Sequence, residues 1–285
     1  MGSITTEWQL DFIAALKERG IACKEDIAFK EEQSSLILLD KGQVVINMVS
    51  LQTEVDPENL IRLQADYQKK NIYLVHLWED IWKTRSMQVL GRIGSILGLN
   101  KTLHGRKAKV LVINQAEADD FLKENHLQAS AKAKYKFALS IDGEMVAVAL
   151  FSGGRPMNRI APDYRSYELI RFASLIGFTV TGGFSKLLKH FINLVQPNDL
   201  MSYADKDWSL GNAYDLSGFK LVKESPAVAI WLNRKDFKRS FSHRLPAALQ
   251  ADLKELSLQE QQQYLLENDY VRVFNTGNLK YILYL

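Results

Sequence analysis

The chain has 285 residues, 47% hydrophobic and 24% charged, with a formal net charge of +3, a balance that suits two folded domains of modest size. No run of about 18 apolar residues occurs, and the opening residues lack a basic stretch followed by an apolar one, so neither a membrane span nor a signal peptide is expected. The single cysteine, Cys23, excludes an internal disulfide and a thiolate zinc cluster, and a cytoplasmic location is the resulting expectation.

Residues 6–20 read as an amphipathic helix, with Trp8, Phe12, Ala15 and Leu16 on one face and Gly20 as its stop. Two short apolar strands, 35–39 and 44–51, flank the turn Asp40-Lys41-Gly42. A helix over 57–70 follows, with Asp56 as N-cap and Pro57 in its first position. A buried strand at 72–77 and a long helix at 79–97 complete a small α/β unit over 1–98. Residues 100–106 read as a linker.

The second half opens with a strand at 107–114 and a helix at 116–125. Strands 135–141 and 144–151 form a hairpin around Asp142-Gly143, a strong turn signal. A strand at 167–173 precedes a glycine-bearing loop at 177–183. The helix after it, 184–194, has an apolar face of Phe184, Leu187, Leu188, Phe191 and Leu194 or Val195. A strand at 200–204, a short helix at 210–217 and strands at 219–222 and 227–233 end the domain, taken as 107–234. The remainder, 235–285, reads as an extension: a helix near 257–268, then a terminal hairpin of 271–274 with 281–285 around Asn275-Thr276-Gly277-Asn278.

Charge is unevenly spread. Residues 1–80 carry 14 acidic and 8 basic side chains, whereas 81–116 carry seven basic ones (Lys83, Arg85, Arg92, Lys101, Arg106, Lys107, Lys109) and no acid. Such a stretch can neutralise phosphates, or it can simply solvate a helix and a linker.

A strand, a glycine loop and a helix together can hold an anion, because backbone N–H groups and the helix dipole converge there. The loop reads Val180-Thr181-Gly182-Gly183-Phe184-Ser185-Lys186. A glycine pair before a helix also serves as plain turn chemistry. Ser202-Tyr203-Ala204-Asp205 then leads to Gly211-Asn212-Ala213-Tyr214, with Gly218-Phe219 four residues beyond the tyrosine.

This order over about 125 residues resembles the GNAT N-acetyltransferases. The resemblance implies an acetyl-CoA or other acyl-CoA donor whose pyrophosphate sits on the loop, with Gly182, Gly183, Ser185 and Lys186 as contacts. It implies Tyr214 as the general acid that protonates the departing thiolate; packing against Phe219 is the other reading of that ring. The family's loop usually begins with Arg or Gln, where this chain has Val180, and Ser185 stands where Gly or Ala is usual.

A wider resemblance rests on Tyr167-Glu168-Leu169-Ile170-Arg171-Phe172, Gly182-Gly183-Phe184-Ser185-Lys186-Leu187, Asn125-His126-Leu127-Gln128 and Asn275-Thr276-Gly277-Asn278-Leu279-Lys280-Tyr281. These strings look like an uncharacterised phage-type family that joins a Vsr-like PD-(D/E)XK nuclease domain to a GNAT-like domain. The second half is also similar to Mom-type DNA-modification proteins. The fold expected is therefore a small restriction-endonuclease-like α/β domain followed by a GNAT-like mixed-sheet α/β domain.

Arg171 and His126, with Arg106 and Lys107, become candidate substrate or phosphate contacts, and Glu168 or Asp205 a general base. An internal salt bridge for the strand residues, and a helix-end role for His126, stand beside those readings. Glu168 and Arg171, three apart on a strand, are expected on opposite faces. In the nuclease-like half, Asp40 remains, but Asn47 in Ile46-Asn47-Met48-Val49-Ser50 replaces the expected carboxylate. Only Glu54 or Asp56 could substitute, so no metal and no nuclease activity are expected. The function expected is acyl or group transfer on or near nucleic acid. The alternative is a non-catalytic module that binds DNA or a partner. Oligomeric state is open.

Overall fold

The computed structural model describes residues 6–25, 35–39, 43–52, 55–128 and 130–285. Contacts divide the chain into two compact units. One comprises Met1–Thr84, Asp205–Trp208 and Ser225–Asn278; the other comprises Arg85–Ala204, Ser209–Glu224 and Leu279–Leu285.

The first unit begins with α1 (Glu7–Glu18), β1 (Cys23–Glu25), β2 (Ser35–Leu39), β3 (Val44–Val49), α2 (Pro57–Lys69) and β4 (Tyr73–Trp78). The sheet order is β1-β2-β3-β4, antiparallel except for the parallel β3–β4 pair. Asp56 caps α2 by accepting the Glu58 N–H at 2.9 Å, and Pro57 occupies its first position, where no intrahelical N–H bond is lost. The next helix, α3 (Glu79–Ile96), leaves helical geometry at Arg85 (φ −143°, ψ 31°), where one unit passes into the other.

The second unit carries β5 (Lys101–His104), β6 (Lys109–Val112), α4 (Gln115–Asn125), β7 (Tyr135–Ile141), β8 (Glu144–Phe151), β9 (Arg155–Pro156), β10 (Arg165–Ser174), β11 (Phe178–Thr181), α5 (Gly183–Val195), β12 (Asp199–Asp205), α6 (Asn212–Asp215) and β13 (Lys220–Glu224). The chain then returns to the first unit with β14 (Val228–Asn233), β15 (Arg239–Ser240), α7 (Ala247–Leu253), α8 (Leu258–Glu267) and β16 (Tyr270–Asn275), and β17 (Asn278–Tyr284) closes the second. The main sheet runs β13-β17-β12-β10-β8-β7-β6, with β9 on β10.

Helices cover both faces of that sheet. On one, Leu187, Leu188 and Phe191 of α5 pack against Phe137, Phe151, Leu169 and Leu200, with Phe191 stacked on Phe151 at 4.1 Å between ring centres. On the other, Ala118, Phe121 and Leu122 of α4 meet Ala138, Val148, Leu150 and Ala173. Val195, not Leu194, completes the α5 face; Leu194 is 59% exposed.

Several expectations need correction. The linker at 100–106 contains a strand, β5, parallel to β11, which itself lies inside the expected loop. The residues expected as a separate extension, 235–285, mostly complete the first unit, through β14–β16 and a helix, α7, that the sequence does not signal. The terminal hairpin does not form, because β16 pairs with β14 and β17 with β13. The cause is an anchor in the turn: the Thr276 N–H and hydroxyl both donate to Asp207 Oδ1, at 2.8 and 2.6 Å. Burial raises the Asp207 carboxyl above the usual range, and the Thr276 bonds pull it back.

Within the first unit, Asn47 lies opposite His76 in the β3–β4 register, and its Nδ2 donates to His76 Nδ1 at 3.1 Å. Both are buried, and burial holds the His76 pKa down at about 3. Asp40 and Glu54 lie outside the described residues, while Asp56 is spent as the α2 cap. Asp80, 1% exposed, receives both forks of Arg239 at 2.6 and 2.8 Å, and the guanidinium also lies over the Trp78 ring.

Removing one partner of such a pair strands a buried charge. Arg239→Ala should therefore cost about 3 kcal/mol of the first unit's stability. All five tryptophans belong to that unit, so fluorescence-detected urea unfolding reads it directly. An unchanged midpoint would show the pair to be dispensable.

Candidate functional site

The site is built where two parallel strands part. β10 and β12 pair from Ser166–Asp199 to Glu168–Met201 and then separate, although β10 continues to Ser174 and β12 to Asp205. Ser202 stands in the fork: its Oγ is 2.9 Å from Leu169 O and 2.9 Å from Tyr214 Oη. One hydroxyl proton can serve only one of these at a time, so Ser202 can donate to the strand and accept from the phenol, or turn and donate to the phenol.

A β-bulge decides which side chains face the fork. Leu169 pairs with Phe151 and Arg171 with Leu150, so Ile170 is an extra residue in β10. The extra residue breaks the strict alternation that the sequence alone suggests. Directly opposed residues share a face, so Arg171 joins Leu150 on the α4 side, and Glu168, next to inward-packed Leu169, lies on that side too. Glu168 and Arg171 thus share one face. Burial raises the Glu168 carboxyl, opposed by Arg155, Arg171 and Lys280. Burial likewise lowers the Arg171 pKa, and Glu168 and Tyr214 work against that.

Tyr214 approaches from the α5 side. Its ring meets Phe184, Phe219 and Tyr281 at 6.0, 5.4 and 5.1 Å between centres, so packing against Phe219 and a place at the fork hold together. Burial raises its pKa, while Ser202, Arg171 and Arg92 favour the phenolate.

Phe184 also meets Phe172 of β10 at 5.0 Å, which brings the start of α5 to the same fork. Gly182 caps that helix in the left-handed region (φ +73°), a conformation favouring glycine, and open space lies where a side chain would stand. The first-turn N–H groups of Gly183, Phe184 and Ser185 have no carbonyl four residues back to bond. Gly105 presses on this loop from β5: its N–H donates to Thr181 O at 2.9 Å, and a Cβ there would come within 2.8 Å of the same carbonyl. Exposed Arg106 and Lys107 come directly after it. Lys186 Nζ donates to the carbonyls of Gly105 and Ala108, at 3.0 and 2.6 Å, so it ties this basic segment to the loop.

The other candidates separate. Asp205 belongs to the first unit, where its Oδ1 accepts the Asp207 N–H at 3.1 Å. His126 ends α4, and its Nδ1 accepts the Gln128 N–H at 3.0 Å. Burial first, then Arg171, Arg92 and Arg85, lower its pKa to about 4, so it is neutral at pH 7. The basic stretch is not one patch. Lys83 pairs with Glu79 in the first unit, Arg85 donates to Lys123 O, and Arg92 acts on Tyr214, leaving Lys101, Arg106, Lys107 and Lys109 exposed. Ser202, Arg92, Arg155 and Lys280 are not legible as site residues in the sequence. They come from four different elements, and no spacing links them. Among the described residues no group of three His, Cys, Asp or Glu could hold a metal, and no helix is long and apolar enough to cross a membrane.

No family model and no curated protein matches the chain. Similar solved structures include the ribosomal-protein-S18-alanine N-acetyltransferase of Escherichia coli, at 11% identity and TM-score 0.38, covering 62% of this chain and 93% of that one. A GNAT family acetyltransferase of Elizabethkingia anophelis with acetyl-CoA bound matches at 10% identity and TM-score 0.32, covering 63% and 99%. A Bacillus subtilis acetyltransferase in complex with CoA matches at 11% and 0.35, over 63% and 99%.

Glu168 gives a stability prediction with a definite sign. Its folded pKa lies above the unfolded value, so the folded protein holds the proton more tightly. Stability is greatest with Glu168 protonated and falls as pH rises through the folded pKa. Glu168→Gln should thus be more stable than the parent at neutral pH, and the advantage should vanish below the usual carboxylate range. Thermal melts across pH 3 to 8 measure this; an advantage that persists unchanged in acid would assign it to packing.

Proposed function

We propose that the second unit is a GNAT-type N-acyltransferase, using acetyl-CoA or another acyl-CoA. The observation that carries this reading is the fork: parted parallel strands, with a phenol and the glycine-led helix start on one side and a raised carboxylate on the other. The first-turn N–H groups of α5, the open space at Gly182 and the neighbouring Arg106 and Lys107 suit a pyrophosphate. Acyl-CoA, when bound, supplies an electrophilic thioester carbonyl and a thiolate that must be protonated on departure. Tyr214 Oη holds the proton for that thiolate. As it leaves, Ser202 turns to donate to the phenolate, and Arg171 and Arg92 favour the negative charge. Glu168 takes the proton that the acceptor amine loses, for which a carboxyl made more basic by burial is suited.

In the same reading the first unit does not cut DNA. Asn47 gives its amide to His76 where a PD-(D/E)XK site would need a carboxylate, and a metal would lack that second ligand. The alternative, a DNA-binding module without catalysis, would draw on Lys101, Arg106, Lys107 and Lys109 and would show strongly salt-dependent affinity without any response to CoA.

Calorimetry with CoA is the primary test. The unmodified chain should bind, and Gly182→Asp, which places a like charge in the open space of the loop in a conformation that Asp tolerates, should abolish binding; no binding by the unmodified chain would sink the proposal. Once an acceptor is in hand, Tyr214→Phe should lower kcat by about 10²–10⁴-fold, the usual worth of a positioned general acid. An unchanged rate would leave the phenol with packing alone.

A further inference from the structure

The main sheet is covered unevenly on its α4 side. The core under α4 takes in Ala138, Val148, Leu150 and Ala173 of β7, β8 and β10 and, among the described residues, none of β12, β17 or β13. The register of those three strands fixes what they present there. Leu285 N–H donates to Asn198 O and Lys206 N–H to Gly277 O, both at 3.1 Å. β17 therefore runs antiparallel to β12, with Tyr203 opposite Lys280 and Met201 opposite Ile282. The same register sets Leu279 against Ala204 and Leu283 against Leu200, all four in the α5-side core, so the alternate positions face the α4 side. β13 adds Lys220 opposite Ile282 and Lys223 opposite Lys280. Met201 in turn stands opposite Glu168.

Two rows result. One runs from Glu168 through Met201 and Ile282 to Lys220; the other joins Tyr203, Lys280 and Lys223. Tyr203 is 42% exposed, and Lys220 and Lys223 are exposed with it. Like charges directly opposite one another across a strand pair are unfavourable, and Lys223 and Lys280 are so placed. An anion lying between them removes that cost, and the Tyr203 hydroxyl beside Lys280 can donate to the same group. The acids of this face lie at its margins. Glu168 stands at the fork, Asp205 ends β12 and accepts the Asp207 N–H, and buried Asp199 accepts from Tyr164 and Ser166. Glu224, opposite Leu279, belongs to the other face.

Spacing across the rows decides the kind of ligand. Adjacent strands lie about 4.8 Å apart, so β17 is about 10 Å and β13 about 14 Å from the Glu168 position. Apolar Met201 and Ile282 fill the first part of that span. An extended peptide advances about 3.3–3.6 Å per residue. With its amino group at Glu168, its third or fourth residue lies over Lys280 and its fifth over Lys220 and Lys223. A polynucleotide carries a phosphate at every step and would bring one beside Glu168. We propose that this face is the acceptor subsite and takes the N-terminal amine of an extended peptide, apolar at its second residue and acidic from its third to its fifth. This rests on the acyltransferase reading of the same site, in which Glu168 takes the amine's proton.

The test is binding calorimetry on the full chain, with and without CoA. The probes are the C-terminally amidated peptides Ala-Leu-Glu-Glu-Glu and Ala-Leu-Gln-Gln-Gln, the N-acetylated form of the first, and a short oligothymidylate. The acidic peptide should bind about tenfold tighter than the neutral one, as a few exposed ion pairs together can give, and the gap should narrow as salt rises. Lys220→Gln combined with Lys223→Gln should close most of the gap and leave CoA affinity unchanged. Acetylation should weaken the acidic peptide, since its amine no longer meets Glu168. Equal binding of acidic and neutral peptides, binding of neither, or a gap untouched in the lysine variant would overturn the inference. So would equal binding of the acetylated peptide, or an oligothymidylate that binds tighter than the acidic peptide. CoA affinity separates the readings. CoA binding without a preference for the acidic peptide leaves the acyltransferase proposal standing and sinks this one. Failure to bind CoA sinks the acyltransferase proposal and the acceptor role with it, and a lysine-dependent peptide preference would then mark a docking face alone.

Discussion

The second unit depends on the parting of β10 from β12. A parallel pair holds its strands with evenly spaced, slanted hydrogen bonds, and those bonds stop at Glu168–Met201 while both strands run on. Parting exposes backbone polar groups that a continuous sheet would satisfy, and unsatisfied groups are costly. Ser202 answers part of that demand by reaching Leu169 O. The bulge at Ile170 supplies the rest of the geometry, since an extra residue bends a strand and re-aims the side chains beyond it. Without it Arg171 would point into the α5 packing face among Leu187 and Phe191, where a guanidinium could not be solvated. One inserted residue therefore places an acid and a base together.

The electrostatics follow from the same fork. A half-buried carboxylate is pushed towards neutrality and an arginine towards losing its charge, yet each supports the ionised form of the other. The Tyr214 hydroxyl lies 2.9 Å from Ser202 Oγ, and burial raises its pKa against the opposing effects of Ser202, Arg171 and Arg92. His126, held down at about 4 by burial first and then by its neighbouring arginines, is neutral at pH 7, and its Nδ1 accepts the Gln128 N–H at the end of α4.

Much of the local structure is legible in the sequence because local signals decide it. The Asp142-Gly143 hairpin, the Asp56-Pro57 start of α2 and the apolar face of α5 are each encoded within a few residues and appear as expected. Pairing over distance is not legible in this way. The 271–285 segment alternates as a hairpin should, but its turn is held by Asp207, about seventy residues away, and its two strands join different sheets. β5 is short and exposed, so nothing in its composition announces that it pairs with β11. In the site, Tyr214 stands out through the resemblance to the GNAT ending and the glycine pair through its place before a helix, whereas alternation puts Glu168 and Arg171 on opposite faces when they share one. A bulge inserts a residue without any residue-type signature, and strand alternation gives the wrong answer beyond it. Both residues remain site candidates, but on the ground of a common face rather than of their place on a core strand.

Interleaving also bears on what counts as a domain here. The chain passes between the two units after Thr84, Ala204, Trp208, Glu224 and Asn278, so neither unit is one continuous stretch. The four residues Asp205–Trp208 are fastened to the first unit: Gln64 Nε2 donates to Lys206 O at 2.6 Å, Tyr73 Oη to Trp208 O at 2.9 Å, and the His76 N–H to Asp207 O at 3.3 Å. The second unit in turn needs the last residues of the chain, because β17 lies between β13 and β12 in its sheet. A fragment of 107–234 would leave that place empty and would remove Lys280 and Tyr281 from the surroundings of Glu168 and Tyr214. A fragment of 1–98 would lose β14–β16 and with them the partners of Val49, Leu60 and Trp78 in the core, as well as Arg239 over Asp80. Both cuts follow boundaries that composition suggests, and both pass through hydrophobic cores. The site at the fork is thus a property of the complete second unit, assembled from segments that only folding brings together.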